Sequence, residues 1–214
     1  MKLALISPPG EQAHELATVQ ALFAAGLERY HLRKPGWDLS RVAAWLGTLP
    51  LRWHGRIFLH SHHALAGGLR LGGIHFRDGG ETLASARPAG CPTSRSCHDV
   101  AAVRAALGRH DAAFFGPVFP SLSKPGYGPA PDSVLVELQA VLLSRGPAEK
   151  RTCVFAIGGV TPARLGACQA MGFDGVAILG AVWGVADPVA AFHEFSAACR
   201  LRDDAVPPTM EAAT

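Results

Sequence analysis

Short apolar runs of strand length alternate with longer segments of helical character along most of the chain. The runs are rich in Val, Ile, Leu, Phe and Ala, which is typical of strands buried on both faces. They predict eight strands, over residues 3–6, 29–32, 56–59, 73–76, 92–95, 112–115, 152–157 and 175–179. Repeated strand–helix units indicate an α/β protein with a parallel sheet, and eight of them predict a closed (β/α)₈ TIM barrel.

Helical segments follow most of the predicted strands, and two of them carry clear start signals. Asp38 is a predicted N-cap, and Thr161 followed by Pro162 predicts another helix start. The predicted helices cover residues 11–25, 38–46, 63–66, 98–107, 132–143, 161–171 and 188–200. We therefore expect one barrel domain over residues 1–200 and a loose C-terminal tail over 201–214. An open doubly wound sheet, the alternative, would usually have fewer units and an early glycine-rich turn.

The composition of the chain argues against several classes of protein. Hydrophobic residues make up 49% and charged residues 17% of the 214 residues, which excludes a disordered chain. The formal net charge of +3 is too small to indicate a nucleic-acid partner, and no apolar stretch reaches membrane-spanning length. The five cysteines form no CxxC pair, which argues against a disulfide framework or a structural zinc site. We expect a cytoplasmic protein.

Polar side chains cluster where the predicted strands end, the face that carries the chemistry of TIM barrels. Six of the ten histidines fall there. The candidates of this group are His31, Arg33, His60, His75, Asp78, Ser96, Cys97 and His98. Arg33 is a natural bidentate partner for an anion, although a surface salt bridge is the common alternative. Cys97 at the predicted rim is a candidate reactive thiol.

A run of potential metal ligands, His60, Ser61, His62 and His63, follows the third predicted strand. Protein metal ligands are usually well spaced, and adjacent side chains rarely all converge on one ion. We therefore expect one or two of these side chains to face the pocket and the others to point elsewhere.

Two segments have the composition of anion sites. Ser121, Ser123 and Lys124 lie among glycines and prolines after the sixth strand, where hydroxyls, backbone amides and one ammonium would suit a phosphate or pyrophosphate. Gly158 and Gly159 after the seventh strand, with Gly180 after the eighth, occupy the strand ends at which barrel enzymes often bind phosphate. The alternatives are an ordinary surface loop and glycines that only turn the chain.

Six segments resemble, in order and spacing, those of the thiamine phosphate synthase and TenI family. They are HLRKP (31–35), GIHF (73–76), SCH (96–98), FFGPVFPSLSKPGYG (114–128), AIGGV (156–160) and GVAILGAVW (175–183). GPVFPSLSK and AIGGV are the most specific, and FGPVFPS with SKPGYG is most similar to a TenI-like branch. The resemblance covers nearly the whole chain to about residue 200.

The resemblance implies thiamine biosynthesis by a transferase that joins hydroxymethylpyrimidine diphosphate to thiazole phosphate and releases pyrophosphate. The implied partners are phosphorylated pyrimidine and thiazole small molecules, without nucleic acid or membrane, and a homo-oligomer stays open. The positions that match the pyrophosphate site are Arg33, Ser96, Ser121, Ser123 and Lys124. Those that match the thiazole-phosphate site are Gly158, Gly159, Leu179 and Gly180. His31 stands where the family often has a pocket glutamine, and His60 and His75 are further substrate-binding candidates.

The family's Mg²⁺ site is matched least well. An Asn-Asp pair is expected after the third strand, and here that pair is His60 and Ser61. A second metal Asp aligns with Gly80, which leaves Asp78, two residues earlier, as the candidate Mg²⁺ ligand. A pocket lysine is replaced by Pro35, with Lys34 adjacent.

The TenI branch implies one alternative, a thiazole tautomerase that needs no metal. The unmatched metal positions leave open another, a non-catalytic barrel that binds thiamine or thiazole phosphate. The catalytic histidine of the tautomerases is expected at the position of Pro117, so His31 or His98 would have to supply the acid–base group. Arg33 together with the serines and lysine of the sixth loop favours a working site, because a single phosphate site would not need them.

Overall fold

Eight parallel strands close into a barrel in the computed structural model, which describes residues 1–78, 89–120 and 128–204. The strands are β1 Lys2–Ile6, β2 Tyr30–Leu32, β3 Ile57–Leu59, β4 Gly73–Phe76, β5 Thr93–Cys97, β6 Ala112–Phe115, β7 Cys153–Ile157 and β8 Gly175–Ile178. Each pairs with its sequence neighbour, and β8 pairs with β1 from Lys2↔Gly175 to Leu5↔Ile178. The sheet therefore has no free edge, and the predicted TIM barrel is confirmed.

Helices surround the barrel. Within the described ranges they are α1 Glu15–Ala24, α2 Leu39–Gly47, α3 Leu51–His54, α4 Leu65–Gly68, α5 Val100–Ala106, α6 Asp132–Leu143, α7 Leu165–Ala170, α8 Gly180–Trp183 and α9 Pro188–Asp204. Asp38 caps α2 as predicted, because its carboxylate accepts a hydrogen bond from the Arg41 amide at 2.8 Å. Thr161 stands at a helix start without a side-chain cap, and Pro162 begins a 3₁₀ turn that leads into α7. The short helices α3 and α8 were not predicted.

The fifth strand was predicted with the wrong end. It was placed over residues 92–95, but β5 runs to Cys97, with Ser96 paired to Phe114 and Cys97 to Phe115. The polar sequence TSRSC has no apolar run, so its pattern does not resemble the other strands. Ser96 therefore lies within a strand instead of after it. Cys97 has no exposed surface, which rules out the reactive rim thiol.

The interior of the barrel changes from apolar to polar along its axis. Phe114 and Phe155 stack at a centroid distance of 4.9 Å within a cluster that also holds alanines of β1, β6 and β8. Toward the amino ends of the strands, the Arg29 guanidinium lies over the rings of Phe58 and Phe155. On the other side, the ring of His31 stacks on Phe58 and contacts Phe114. Aromatic rings thus form the floor on which the polar site rests.

A buried arginine joins the last two strands to the helix layer. Arg145 donates hydrogen bonds to the carbonyls of Leu142, Thr152 and Gly172 and forms an ion pair with Asp174 at 2.7 Å. The Asp174 carboxylate also accepts from the Val154 amide, at the start of β7. One guanidinium therefore satisfies carbonyls from α6, the approach to β7 and the approach to β8.

The C-terminal helix ends at Asp204, later than the predicted end at residue 200. The remaining part of the tail predicted to be loose, residues 205–214, lies outside the described residues. Among the helices of the described ranges, none has both the length and the apolar character needed to cross a membrane.

Replacing Arg145 with Met should lower the free energy of unfolding by roughly 3 kcal/mol, because it leaves buried carbonyls and the Asp174 carboxylate without their partner. Urea unfolding at neutral pH measures the change. Arg41→Met is the matched control, since Arg41 forms its ion pair with Glu11 on the exposed surface, and we expect it to cost less than about 1 kcal/mol. Equal losses in the two variants would contradict this assignment.

Candidate active site

All eight strands contribute to one cavity of about 400 Å³ at their carboxyl ends. Its described lining residues are Ile6, Arg33, His60, His75, Arg77, Asp78, Ser96, His98, Phe114, Ile157 and Leu179. A larger cavity of about 530 Å³ lies at the amino ends, where Lys2 and Asp174 are among its lining residues, and it contains none of the predicted site residues. Because TIM-barrel chemistry takes place at the carboxyl ends of the strands, the smaller cavity is the candidate active site.

His31 forms part of the cavity floor. Its side chain is fully buried, and its ring stacks on Phe58 at a centroid distance of 4.9 Å and an interplanar angle of 10°. Nδ1 lies 3.1 Å from Nε2 of His60, so one of these nitrogens donates to the other. Nε2 of His31 has no hydrogen-bond partner among the described residues. His31 therefore has hydrogen-bonding capacity that its described neighbours do not use.

His60 and His75 complete a group of three imidazoles from neighbouring strands. Their rings stack at a centroid distance of 4.0 Å, and each meets the His31 ring edge-on at 5.3 Å. One nitrogen from each of the three rings lies within 4.8 Å of the others. We call His31, His60 and His75 the histidine triad. His62 and His63 point elsewhere, toward the carbonyls of Trp37 and His75, as expected for adjacent residues.

Two serines of β5 orient His75. Ser94 Oγ lies 2.9 Å from Nδ1 of His75 and 3.3 Å from the carbonyl oxygen of Ile74. A carbonyl oxygen only accepts, so the Ser94 hydroxyl donates its one proton to Ile74 and accepts from Nδ1–H of His75. Nε2 of His75 is then an acceptor, and the Ser96 hydroxyl donates to it at 2.9 Å. Serine hydroxyls therefore engage both ring nitrogens of His75, whose side chain lines the cavity.

Burial keeps the triad uncharged. Desolvation is the main cause that lowers the pKa of His75 to about 3, and nearby histidines and Arg33 lower it further. The pKa values of His31 and His60 also lie well below their usual range, again mainly because the rings are removed from water. At neutral pH the three rings are therefore acceptors or metal ligands and carry no charge.

Arg33 is held at the cavity by its backbone. Its amide donates to Ser7 Oγ at 2.8 Å, and the Ser7 hydroxyl donates to its carbonyl at 2.9 Å. The neighbouring Lys34 is buried in an ion pair with Glu15 at 2.6 Å and also donates to two backbone carbonyls. Lys34 therefore anchors the end of β2 and does not replace the pocket lysine that the resemblance implies at Pro35.

Asp78 lines the cavity, but its carboxylate accepts a hydrogen bond from Arg95 at 3.1 Å. It is the only carboxylate among the described lining residues. Mg²⁺ prefers several oxygen ligands in near-octahedral geometry, whereas this cavity offers one paired carboxylate beside three imidazoles. The described residues therefore do not fit a Mg²⁺ site.

His98 and the glycine pair lie around the segment that follows β6. The Nδ1–H of His98 donates to the carbonyl of Gly116 at 3.2 Å, which leaves its Nε2 as an acceptor. Gly158 and Gly159 have φ angles of +94° and +63°, and a Cβ on Gly158 would lie 2.7 Å from Cβ of Pro117. Backbone conformation and packing therefore favour glycine at both positions, independently of any phosphate binding. Leu179 lines the cavity, and Gly180 begins α8.

The predicted pyrophosphate-binding segment is described only at its ends. Ser121, Ser123 and Lys124 lie outside the described residues, as does Gly80. Pro120 is the last described residue before this gap, and Gly128 is the first one after it.

Comparison with known families agrees with this geometry. A family model described as thiamine monophosphate synthase matches residues 3–182, which include every predicted site residue and all the strands except Lys2 of β1. The chain belongs to the thiamine monophosphate synthase family. It is a transferase family of thiamine biosynthesis, and the family assignment based on the six sequence segments is confirmed.

Curated members of the family are similar over most of their length. The chain is 35% identical over 191 residues to the thiamine-phosphate synthase of Bordetella bronchiseptica, covering 86% of this chain and 87% of that one. It is 30% identical over 196 residues to the enzyme of that name in Chromobacterium violaceum, covering 87% and 90%. The crystal structure of thiamine phosphate pyrophosphorylase from Bacteroides thetaiotaomicron superposes with a TM-score of 0.72 at 26% identity, over 97% and 100% of the two chains.

In this member of the family, the structure brings many of the predicted site residues to one cavity. Those that line it are Arg33, His60, His75, Asp78, Ser96, His98 and Leu179. His31 lies behind them in the floor, and Gly158, Gly159 and Gly180 flank the lining. Sequence reasoning assigned no role to Ser94, Arg95 or Phe114. Ser94 is evident only from its contact with His75.

The buried triad should make the fold sensitive to acid. A histidine with a lowered pKa in the folded state gains its proton only on unfolding, so stability falls as the pH drops below about 6.5 and continues to fall toward the folded pKa. For His75, whose folded pKa is about 3, we expect a loss of roughly 1 kcal/mol between about pH 7 and pH 5.5.

Urea unfolding at these two pH values measures the loss. The variant His75→Asn should show a weaker dependence on pH than the wild type, by about one proton per molecule unfolded. His193→Asn, which changes an exposed imidazole on α9, should keep the wild-type dependence. An unchanged pH dependence in His75→Asn would show that this ring is not held neutral by burial.

Proposed function

We propose that this protein catalyses the synthase reaction, joining hydroxymethylpyrimidine diphosphate to thiazole phosphate with release of pyrophosphate. The charge of the cavity carries the proposal. Arg33 and Arg77 line it, while its one described carboxylate, Asp78, is paired with Arg95. The cavity therefore has an excess of positive charge next to a wall of uncharged rings. A diphosphate attached to a heteroaromatic ring has the matching chemistry.

The two anions are assigned to two different sets of residues. Arg33 and Ser96, with Ser121, Ser123 and Lys124 of the sixth loop, are the residues that we assign to the pyrophosphate. Gly158, Gly159, Leu179 and Gly180 are those that we assign to the thiazole phosphate. The glycines and Leu179 follow the neighbouring strands β7 and β8, whereas Arg33 follows β2 and Ser96 lies in β5.

The expected chemistry breaks a carbon–oxygen bond before a carbon–nitrogen bond forms. The bonding electrons leave with the pyrophosphate, a pyrimidine cation remains, and the thiazole nitrogen donates its lone pair to that cation. Arg33 and Lys124 would stabilise the negative charge that develops on the leaving group. The neutral imidazoles of the triad add no positive charge beside the cation, and Ser96 holds Nε2 of His75 by a hydrogen bond.

The roles given to these residues are assigned without reference to a cofactor. Mg²⁺, which the resemblance implies, would supply charge for the departing pyrophosphate. Because the described residues do not fit that ion, we place no step on it, and Asp78 is assigned to Arg95 instead.

The tautomerase and non-catalytic alternatives are less well supported. The curated relatives are named as synthases, and Pro117 occupies the position of the histidine that the tautomerases use. His98 lines the cavity but faces a backbone carbonyl with Nδ1, while His31 is fully buried in the floor. Neither ring stands at the sequence position of the missing acid–base group.

Purified protein supplied with both phosphorylated precursors should form thiamine phosphate, detected by mass spectrometry with and without Mg²⁺. Arg33→Gln should reduce kcat/KM by roughly a hundredfold, because it removes a cation that faces the developing negative charge. Arg41→Gln, an exposed arginine on α2, should retain the wild-type value.

The synthase assignment fails if the wild type gives no thiamine phosphate at any Mg²⁺ concentration. Conversion of a thiazole carboxylate phosphate without metal would support the tautomerase in its place. Equal activity of Arg33→Gln and Arg41→Gln would retain the reaction but remove Arg33 from it.

A further inference from the structure

We propose that the histidine triad is a binding site for one divalent transition metal ion, such as Zn²⁺ or Co²⁺. The proposal goes beyond the synthase reaction and does not depend on it. The three rings come from β2, the end of β3 and β4, which are neighbours in the barrel. One nitrogen from each lies within 4.8 Å of the others, an arrangement that no local sequence motif encodes.

The donor set selects the kind of metal. Neutral imidazole nitrogens suit Zn²⁺, Cu²⁺, Ni²⁺ and Co²⁺, whereas Mg²⁺ prefers carboxylate and water oxygens. Three protein ligands with one open position are typical of zinc sites that bind a further ligand. The cavity supplies that open position, because His60 and His75 line it. A site made of three imidazoles therefore favours transition metals such as Zn²⁺ and Co²⁺ over hard cations such as Mg²⁺.

The hydrogen bonds of the triad orient its rings. Nδ1 of His75 carries the proton that Ser94 accepts, and a hydrogen bond at the other ring nitrogen is the usual way to orient a ligating histidine. A metal ion at Nε2 of His75 would displace the Ser96 hydroxyl, which donates to that nitrogen at 2.9 Å. A metal ion would replace the proton shared by His31 and His60, whose nitrogens lie 3.1 Å apart. Ligands at about 2.1 Å from zinc lie roughly 3.4 Å from one another, so the third nitrogen has to move inward by about 1 Å.

The charges around the triad determine the fourth ligand. Arg33 lies on the cavity side and Arg29 on the opposite side, and both charges disfavour protonation of these rings. The same two arginines would repel a divalent cation that has no anionic ligand. An anion in the open position, such as hydroxide or a phosphate oxygen, offsets it and also contacts Arg33. The site should therefore bind the metal more tightly when an anion is present.

The test uses chelator-treated full-length protein and Co²⁺, whose visible d–d absorption reports the coordination geometry. We expect one Co²⁺ per chain, displaced by Zn²⁺ but not by an excess of Mg²⁺, with tighter binding in inorganic phosphate. His60→Ala and His75→Asn should weaken binding by more than about tenfold. Exposed His193→Ala and neighbouring His62→Ala should bind as the wild type does.

Circular dichroism confirms that each variant is folded, and His60→Gln provides a second, polar replacement at the least buried ring. The proposal is overturned if the wild type binds no Co²⁺, if both His60 variants bind as tightly as the wild type, or if His193→Ala abolishes binding. Since no precursor is present, the outcome is independent of whether the protein makes thiamine phosphate.

Discussion

Three imidazoles packed on aromatic rings inside a closed barrel set the character of this protein. His31 contacts Phe58 and Phe114, and His60 and His75, which stack on each other, meet its ring edge-on. A charged ring in that position would have to be desolvated, so the site is built from neutral rings. The positive charge of the cavity consequently comes from Arg33 and Arg77 at the rim, where anions enter.

Barrel closure explains why side chains far apart in sequence meet in one site. Each strand is only three to five residues long, so its inward residues lie near a rim or the floor. Ser94 and Ser96 lie on the same face of β5 and both reach His75 on β4. Because the register between β4 and β5 is fixed, the hydroxyls of Ser94 and Ser96 hold the imidazole of His75 in one tautomer.

The sequence was sufficient for the architecture, because strands buried on both faces are read directly as apolar runs. β4 and β6 have the predicted bounds, and α6 has its predicted limits as well. β5 was misplaced, since TSRSC is polar where it faces His75 and Asp78. The role of Lys34 was equally hidden, because its partner Glu15 lies on a helix whose packing against β2 no local pattern encodes.

We conclude that His75 is neutral, carries its proton on Nδ1 and accepts a hydrogen bond from Ser96 at Nε2. Long-range ¹H–¹⁵N correlation spectra of the histidine side chains, recorded on chelator-treated protein at about pH 7, test it directly. The account predicts a protonated Nδ1 and an unprotonated Nε2 for His75, and loss of this pattern in Ser94→Ala. An imidazolium ring, or a proton on Nε2, would contradict it.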